Sequence, residues 1–204
     1  MTGGHYFDPL PAAASRRRLV RLVLPDVSLE LETDAGVFSA ERVDPGTKLL
    51  LLDGPPIAAA DSPVLDLGCG YGAIAVTLAR RAPAAEVWAI DVNERARGLC
   101  AANAARNHVG NVHVVGPDEV PDDLRFGAIW SNPPIRIGKE QLHRLLGTWL
   151  ARLRPGGTAH LVVQKHLGAD SLARWLDAQA WPTRRRASRA GYRLLDVGPR
   201  ESPV

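Results

Sequence analysis

The sequence predicts an α/β protein with a doubly wound, mostly parallel sheet. Short apolar runs alternate with helical patterns, as they do in strand–helix–strand units. A glycine-rich turn at residues 68–72 follows one of these runs. The 204 residues are 46% apolar and 23% charged, which suits one globular domain. We therefore predict a single domain over 1–204, with an N-terminal β extension in 1–55 and a core in 56–204.

The N-terminal extension is expected to hold a β-hairpin and one further element. Residues 18–24 and 28–33 alternate apolar and polar side chains on either side of a Pro-Asp-Val turn. Residues 36–39 then lead into the apolar run 43–52. We expect that run to form a helix or turn against the sheet.

The core pattern predicts alternating strands and helices. Strands are expected at 62–66, 86–91, 111–115, 126–130 and 158–165, and helices at 73–81, 94–106, 139–153 and 169–178. The third of these helices is expected to end at the Arg-Pro-Gly-Gly sequence of 154–157. Residues 186–197 are expected to close the sheet as an antiparallel hairpin or strand.

The strongest functional signal is Asn132-Pro133-Pro134-Ile135, at the end of a predicted strand. Two prolines fix φ and donate no backbone N–H, so we expect the carbonyls of Asn132 and Pro133 to be free acceptors. With the Asn132 side-chain oxygen they would accept both hydrogens of an sp² amine and aim its lone pair at an electrophilic methyl group. Asn132, Pro133 and Pro134 are thus candidate catalytic residues of an amino-methyltransferase. The alternative is an ordinary loop after a strand.

The glycine-rich turn predicts a nucleotide site. Gly68 and Gly70 let the backbone approach a ligand, but with Ala73 they also match the dinucleotide fingerprint. The glycines alone therefore do not distinguish a nicotinamide cofactor from S-adenosylmethionine. Asp66 favours the latter, since a carboxylate at the strand end repels a pyrophosphate and attracts the ammonium group of a methionyl moiety.

Two more carboxylates follow the next predicted strands. Asp91 is placed to take both ribose hydroxyls, and Asn93 after it is expected to cap a helix. Asp118 is the expected partner of the adenine amine. The alternatives are a capping or solvated acid for Asp91 and an ordinary turn for Asp118.

Basic residues are unevenly distributed although the net charge is only +3. Guanidinium groups bind phosphate in a bidentate manner, so two arginine clusters beside an amine pocket suggest a clamp for an RNA backbone. Codon bias and ordinary solvated charge are the alternatives. The clusters contain Arg16, Arg17, Arg18 and Arg21 near the start and Arg184, Arg185, Arg186, Arg189 and Arg193 near the end.

Composition argues against several other classes. Cys69 and Cys100 give neither a disulfide framework nor a metal quartet, and the six histidines show no ligand spacing, so we predict no metal. The first residues lack the pattern of a signal peptide, and no apolar run approaches the ~20 residues that span a bilayer. We expect a cytoplasmic protein and a monomer.

Several short segments spread over the chain carry a family resemblance. They are 5–7 (His-Tyr-Phe), 36–39 (Gly-Val-Phe-Ser), 43–47 (Val-Asp-Pro-Gly-Thr), 64–72 (Val-Leu-Asp-Leu-Gly-Cys-Gly-Tyr-Gly), 91–95 (Asp-Val-Asn-Glu-Arg), 131–136 (Ser-Asn-Pro-Pro-Ile-Arg), 138–139 (Gly-Lys), 162–169 (Val-Val-Gln-Lys-His-Leu-Gly-Ala) and 191–194 (Gly-Tyr-Arg-Leu). The chain resembles small-domain class I methyltransferases related to the bacterial 16S ribosomal RNA guanine-N2 methyltransferases. The resemblance implies a Rossmann-like sheet and S-adenosylmethionine as cofactor.

The resemblance also implies roles for individual residues. The cofactor would contact Asp66, Gly68, Cys69, Gly70, Asp91, Val92 and Asn132, with Phe38 and Ser39 lining its pocket from the N-terminal side. The target amine would bind at Asn132, Pro133 and Pro134. Ile135, Arg136, Lys139 and Lys165 are the expected substrate contacts. The two lysines are expected from their charge to hold phosphate near the pocket; ordinary surface charge or helix-end capping is the alternative for them.

Two departures from the family bear on the target. Ile135 stands where many amine-directed relatives have Tyr or Phe, so base stacking must be weaker or come from elsewhere. The longer guanine-N2 enzymes also carry a second, degenerate methyltransferase domain, which this sequence does not contain. We predict methylation of guanine N2 in small-subunit ribosomal RNA. The alternatives are methylation of a glutamine amide in a protein and a non-catalytic module that binds S-adenosylmethionine or RNA.

Overall fold

The computed structural model describes residues 14–200, so the family segment at 5–7 lies outside the described residues. The strands are β1 (Arg18–Val23), β2 (Ser28–Thr33), β3 (Val64–Leu67), β4 (Val87–Ile90), β5 (Val112–Val115), β6 (Phe126–Ser131), β7 (Leu153–Gln164), β8 (Thr183–Arg189) and β9 (Tyr192–Val197). The α-helices are α1 (Pro45–Asp53), α2 (Ala73–Arg81), α3 (Glu94–Arg106), α4 (Lys139–Leu150) and α5 (Ala169–Ala178). Short 3₁₀ helices occupy Ala59–Asp61, Pro117–Glu119, Ile135–Ile137 and Lys165–Leu167. In this part of the chain no helix is long and apolar enough to cross a membrane.

The main sheet has seven strands in the order β5-β4-β3-β6-β7-β9-β8. The strands from β3 to β7 are parallel, whereas β9 runs antiparallel to both β7 and β8. The chain winds outward from β3 in both directions. The carboxyl ends of β3 and β6 therefore form the switch point at which ligands bind in open α/β sheets. This confirms the predicted doubly wound sheet with an antiparallel C-terminal edge.

Apolar cores cover both faces of this sheet. Val64 and Trp130 face the side that carries the hairpin, α1, α2 and α3. Leu65 and Ile129 face the side that carries α4 and α5. The alternation of neighbouring residues between two cores is what a strand buried on both faces requires.

The hairpin of β1 and β2 docks on α3 through a buried amide. Asn103 is fully buried on α3, and its Nδ2 donates to the carbonyls of Glu32 and Tyr71, at 2.8 Å each. Its Oδ1 accepts from the Glu32 N–H at 2.7 Å. Because Tyr71 belongs to the glycine-rich turn, Asn103 connects the hairpin to that turn.

The helix predicted at 139–153 is shorter than expected. α4 ends at Leu150, and Leu153 already pairs with Phe126 as the first residue of β7, so the expected helix end was wrong. The Pro-Gly-Gly sequence lies in an irregular part of β7, where Gly156 has a φ of +77°. A β-bulge accommodates both glycine and a proline that donates no ladder hydrogen bond.

Candidate active site

The turn between β3 and α2 presents backbone at the carboxyl end of the sheet. Gly68, Gly70 and Gly72 have φ values of +75°, +54° and +88°, in the left-handed region that favours glycine. A Cβ on Gly70 would have no other atom within 4 Å, so the backbone there faces open space. A Cβ on Gly72 would lie 2.7 Å from the Cys100 Sγ. Gly70 thus provides access for a ligand, whereas Gly72 allows close packing of the turn on α3.

Asp91 ties this turn to the end of β4. Its Oδ2 accepts from the Gly70 N–H and its Oδ1 from the Asn93 N–H, both at 2.9 Å. Burial raises the pKa of this carboxyl, while these two N–H groups and the nearby Arg97 guanidinium act in the opposite direction. Each carboxylate oxygen has a second acceptor site, so Asp91 keeps the capacity to take ribose hydroxyls.

Asp66 lies behind the turn and is fully buried. Its Oδ2 accepts from the Ala75 N–H in the first turn of α2, at 2.9 Å. Its Oδ1 is buried and has no hydrogen-bond partner among residues 14–200. Burial raises the pKa of Asp66 to about 8; the Ala75 N–H lowers it, and the nearby Asp91 raises it. Two buried carboxyls, one with an unpaired oxygen, beside open backbone at Gly70 fit a cofactor that carries positive charge.

The Asn132 amide is held from one side by the start of α1. Its Nδ2 donates to the Asp44 Oδ2 at 2.8 Å and to the Thr47 Oγ1 at 3.0 Å. A carboxylate only accepts, so the amide nitrogen must face Asp44 and the amide oxygen must face the other way. Asp44 also caps α1 by accepting from the Thr47 N–H at 3.0 Å. The Asn132 side-chain oxygen is therefore held as an acceptor.

The Pro133 carbonyl differs from the expectation. It accepts from the Ile135 N–H at 2.8 Å, so the prediction that this carbonyl is free was wrong. Pro134 has a φ of −75° and a ψ of 77°, which is an inverse γ-turn and closes this bond between residues two apart. The fixed acceptor of the segment is thus the Asn132 side chain.

The structure brings the glycine-rich turn and the Asn132 segment together. β3 and β6 are neighbours, with Asp66 opposite Trp130. The buried Ser131 hydroxyl donates to the Leu67 carbonyl at 2.7 Å. Since Leu67 precedes Gly68 and Ser131 precedes Asn132, the two predicted sites meet at one point of the sheet.

The N-terminal loop lies beside Asp91. The Asn93 Nδ2 donates to the Gly36 carbonyl at 3.0 Å, which anchors the loop that contains Phe38 and Ser39. The Phe38 side chain is 63% exposed, and Ser39 adopts a positive φ of 57°. An exposed aromatic ring on a loop anchored to Asn93 is suitably placed to cover a ligand bound at Asp91.

The other predicted contacts differ in exposure. Cys69 is buried, and a hydrogen bond with the Cys100 thiol together with burial raises the pKa of its thiol. Val92 and Ile135 are half-buried, and Ile135 packs against the core of α4 and α5. The exposed residues, whose contacts with ligand or substrate stay predictions, are Asp118, Arg136, Lys139 and Lys165.

Sequence reasoning missed the contact between Asn132 and the start of α1. Asp44 before Pro45, with Thr47 three residues after Asp44, is a recognisable signal for a helix N-terminus. That signal places the helix but not its neighbour, because Asp44 and Asn132 are far apart in the chain. The structural role of Asn103 was missed for the same reason, since it bonds Glu32 and Tyr71.

The two arginine clusters do not form one continuous patch. Arg17, Arg18 and Arg21 on the hairpin pair with Glu32, Glu41 and Glu30 at 2.9, 3.7 and 2.8 Å. The hairpin packs on α3, whereas the other cluster is centred on β8 at the far edge of the main sheet. That the two separate clusters together clamp an RNA backbone beside the amine pocket stays a prediction.

Comparison with known proteins identifies the family of this chain. The family described as "Methyltransferase small domain" matches residues 28–196. The chain belongs to this family. It is 35% identical over 170 residues to the uncharacterized protein YbxB of Bacillus subtilis, across 82% of this chain and 84% of that protein. It is 36% identical over 162 residues to ribosomal RNA small subunit methyltransferase C of Hahella chejuensis, across 77% of this chain and 46% of that protein.

A solved structure agrees with the family assignment. The 16S rRNA N2 methyltransferase of T. thermophilus, in complex with AdoMet and guanosine, superposes with a TM-score of 0.78 at 27% identity, over 93% of this chain and 52% of that chain. The chain therefore spans about half the length of these ribosomal RNA methyltransferases. The predicted family, the Rossmann-like class I fold and the cofactor S-adenosylmethionine are confirmed, and the small methyltransferase domain described here is an S-adenosylmethionine-dependent methyltransferase.

Proposed function

We propose that this methyltransferase domain modifies an exocyclic amine of RNA, with guanine N2 of small-subunit ribosomal RNA as the target. The observation that carries the proposal is the Asn132 amide, whose nitrogen is occupied by Asp44 and Thr47. Its oxygen is thereby held as an acceptor for a target NH₂ group. A site built to methylate a carbon atom has no need of such an acceptor.

The proposed reaction depends on how the target amine is positioned relative to the methyl donor. S-adenosylmethionine supplies an electrophilic methyl group when it is bound. The Asn132 oxygen accepts a hydrogen of the target amine and holds the nitrogen lone pair toward the methyl donor. The buried Ser131 and the pairing of β3 with β6 fix the distance between the Asn132 segment and the glycine-rich turn. A strong general base is not needed, since the product ammonium loses its proton readily.

RNA as the substrate is supported by two observations. The names of the Hahella and Thermus relatives refer to ribosomal RNA, and the Thermus structure holds guanosine. On this chain, β8 carries exposed arginines along one edge of the sheet. Charge of this kind favours a polyanionic substrate.

A glutamine amide is the second candidate target. It presents the same NH₂ group to the Asn132 oxygen, so the geometry of that acceptor serves both substrates. The observation that favours it is Ile135, which packs into the α4–α5 core and has no aromatic face for a base.

Labelled methyl transfer tests the proposal. Small subunits, large subunits and naked ribosomal RNA that lack the modification are incubated with labelled S-adenosylmethionine, and the nucleosides are identified by mass spectrometry. We expect N2-methylguanosine with the wild-type protein. Asn132→Ala should lower transfer by at least about 100-fold while calorimetric affinity for the cofactor stays the same.

Other outcomes of this experiment are equally informative. Bound cofactor without label in any RNA contradicts the proposal, and a labelled protein substrate would then identify the glutamine amide. If Asn132→Ala loses cofactor binding together with transfer, Asn132 supports the fold of the site and does not orient the amine.

A further inference from the structure

A cavity of about 420 Å³ opens at the opposite end of the sheet from the glycine-rich turn. Its floor is formed by β6, β7 and β9 on the face that α1 only partly covers, and β8 forms one wall. Ala128 and Thr158, from the amino-terminal parts of β6 and β7, line it. Ligands of the methyl-transfer site bind at the carboxyl ends of these strands, so the cavity is a separate place.

The centre of the cavity is a buried ionic network around Asp196. This carboxylate accepts from the His160 Nδ1 at 2.9 Å, from the Arg186 Nε at 3.0 Å and from the Arg184 Nη2 at 3.0 Å. His160 and Asp196 are only 6% and 7% exposed. Burial raises the pKa of Asp196, but the hydrogen bonds from His160 and Arg186 outweigh burial and lower it to about 2. The carboxylate is therefore charged at neutral pH.

Hydrogen-bond donors remain in excess around this carboxylate. Arg186 uses only its Nε and Arg184 only its Nη2 in the bonds described, so further N–H groups of both guanidiniums are available. Trp130, which lines the cavity, is 1% exposed, and its indole N–H has no acceptor in the described part of the chain. The Trp130 and His160 rings are in contact, with centroids 4.9 Å apart.

The charges around the cavity also leave an excess of positive charge. Asp61 lines the opposite wall, where it accepts from the Ala58 N–H at 2.8 Å. Arg154 lies beside Gly127 at the rim and donates to the Ser62 and Ala60 carbonyls. In the described structure the cavity and its rim therefore hold the three guanidinium groups of Arg154, Arg184 and Arg186. They also hold the two carboxylates of Asp61 and Asp196.

We propose that this cavity binds a phosphate group, either of a free phosphate ester or of an RNA backbone. A phosphate offers acceptor oxygens and negative charge to the N–H groups of Arg184 and Arg186 that are not bonded to Asp196. Guanidinium groups match phosphate oxygens in geometry and bind them in bidentate fashion. The cavity would hold its ligand whether or not methyl transfer to RNA is the reaction of the other site.

The indole N–H of Trp130, a residue that lines the cavity, reports on binding through its chemical shift. Inorganic phosphate is titrated into ¹⁵N-labelled protein, and the Trp130 indole resonance is assigned with the Trp130→Phe variant. We expect a saturable shift of this resonance. Arg184→Gln and Arg186→Gln should each weaken phosphate binding by about tenfold, the effect of losing one hydrogen bond to a charged group.

Matched variants control for charge and folding. Arg125→Gln removes an exposed arginine whose bonds within residues 14–200 go to the Asp122 and Leu124 carbonyls, and it should leave the phosphate response unchanged. Cofactor affinity, measured by calorimetry, should be equal in all variants, because the glycine-rich turn lies at the other end of the sheet. A variant that also loses cofactor affinity is misfolded. If this happens with Arg186→Gln, the test uses Arg184→Gln, because the Arg184 side chain is more exposed than that of Arg186.

A short oligoribonucleotide without a methylation target distinguishes the two phosphate sources. If an RNA phosphate occupies the cavity, the oligonucleotide moves the same resonance and Arg184→Gln weakens this response. If a free ester is the ligand, phosphate moves the resonance and RNA does not. No response to either, or an undiminished response in the Arg184→Gln and Arg186→Gln double variant, overturns the proposal. This experiment does not measure methyl transfer, so a failure of the proposed methyltransferase function would be a separate result.

Discussion

The role that we propose for Asn132 depends on residues nearly ninety positions earlier in the chain. An amide presents either an oxygen or an NH₂ group, and only the oxygen can accept hydrogens from a target amine. The bonds of its nitrogen to Asp44 and Thr47 decide this choice. In the proposed mechanism Asp44 is a positioning residue that acts through Asn132, and it also caps α1.

Replacing Asp44 with serine separates the two roles of this carboxylate. Serine can still cap α1 by accepting from the Thr47 N–H, but its side chain is too short to reach Asn132. We expect Asp44→Ser to lower kcat about 100-fold, because the acceptor is no longer held in place. The affinity for S-adenosylmethionine, measured by calorimetry, should stay the same.

The alanine variant completes this comparison. Asp44→Ala loses the cap as well, so it should lose activity to the same degree and also about 1 kcal/mol of unfolding free energy. Full activity of Asp44→Ser would mean that other contacts hold Asn132.

The buried Asp66 makes stability depend on pH. Its pKa is raised to about 8 in the folded protein, whereas an unfolded Asp titrates near its usual value of about 3.9. The stabilising contribution of the protonated carboxyl is therefore complete below the unfolded pKa and is lost progressively as pH rises through 8. The largest slope is about 1.4 kcal/mol per pH unit.

Asp66→Asn tests this dependence. Asparagine keeps the oxygen that accepts from the Ala75 N–H but does not ionise. The free energy of unfolding is measured by urea denaturation without cofactor between about pH 5 and about pH 8, a range that lies between the two pKa values. It should fall more steeply with pH for the wild type than for Asp66→Asn. Parallel curves would contradict a raised pKa.

At the scale of elements, the glycine-rich turn contains two glycines with different roles. Gly72→Ala places a methyl group 2.7 Å from the Cys100 Sγ at a φ of +88°, so both a clash and backbone strain result. We expect a loss of about 2–4 kcal/mol in the free energy of unfolding, measured by chemical denaturation.

Gly70→Ala is the matched variant for that measurement. Its Cβ faces open space, so only the cost of a positive φ applies, about 1–2 kcal/mol. Its larger effect should be on cofactor affinity, because the methyl group enters the ligand space. Equal stability losses for the two variants would show that packing against Cys100 is unimportant.

Elements with complete local signals were predictable from the sequence. The bounds predicted for α2, α3 and α5 match those observed, since apolar periodicity marks each helix and Asn93 caps the start of α3. The boundary between α4 and β7 was not, because Leu153 continues the helical pattern and only its pairing with Phe126 makes it a strand residue. Local sequence patterns do not reveal a strand-pairing partner that is distant in the chain.

The candidate site was likewise predictable from the sequence only in part. The glycine-rich turn, Asp91 and the Asn132 segment are short motifs next to strands, and the sheet topology alone brings them together. The hydrogen bond from Asn132 to Asp44 required the packing of α1 on the sheet. The bond that occupies the Pro133 carbonyl depends on the ψ of Pro134, which proline does not fix as it fixes φ.

At the scale of the whole molecule, the ion pairs distinguish the two arginine clusters. Arg17 and Arg21 on the hairpin face Glu32 and Glu30, whereas Arg185 on β8 has no ion pair within 4 Å among the described residues. Arg189 contacts Asp53 at 3.5 Å. Arg184 and Arg186 share the single carboxylate of Asp196. The described structure therefore leaves more uncompensated positive charge on β8 than on the hairpin, and we expect RNA to bind on the β8 side.

Paired substitutions test this asymmetry. Replacing Arg185 and Arg189 with glutamine should weaken RNA binding and lower the slope of log affinity against log salt by about 0.7 for each RNA phosphate that is no longer neutralised. Replacing Arg17 and Arg21 should have the smaller effect, because each is already paired with a carboxylate. Fluorescence anisotropy at several salt concentrations measures both, and equal effects of the two pairs would contradict the assignment.

The position of β8 at the end of the sheet has a consequence for self-association. Its outer side has no neighbouring strand in the described structure, so its free N–H and C=O groups offer a template on which another chain can add a strand. Exposed arginines along β8 repel a second copy of the same edge, and the irregular register between Arg185 and Ala187 interrupts a regular ladder. The strand that we expect to face RNA thereby also protects the free protein from aggregation.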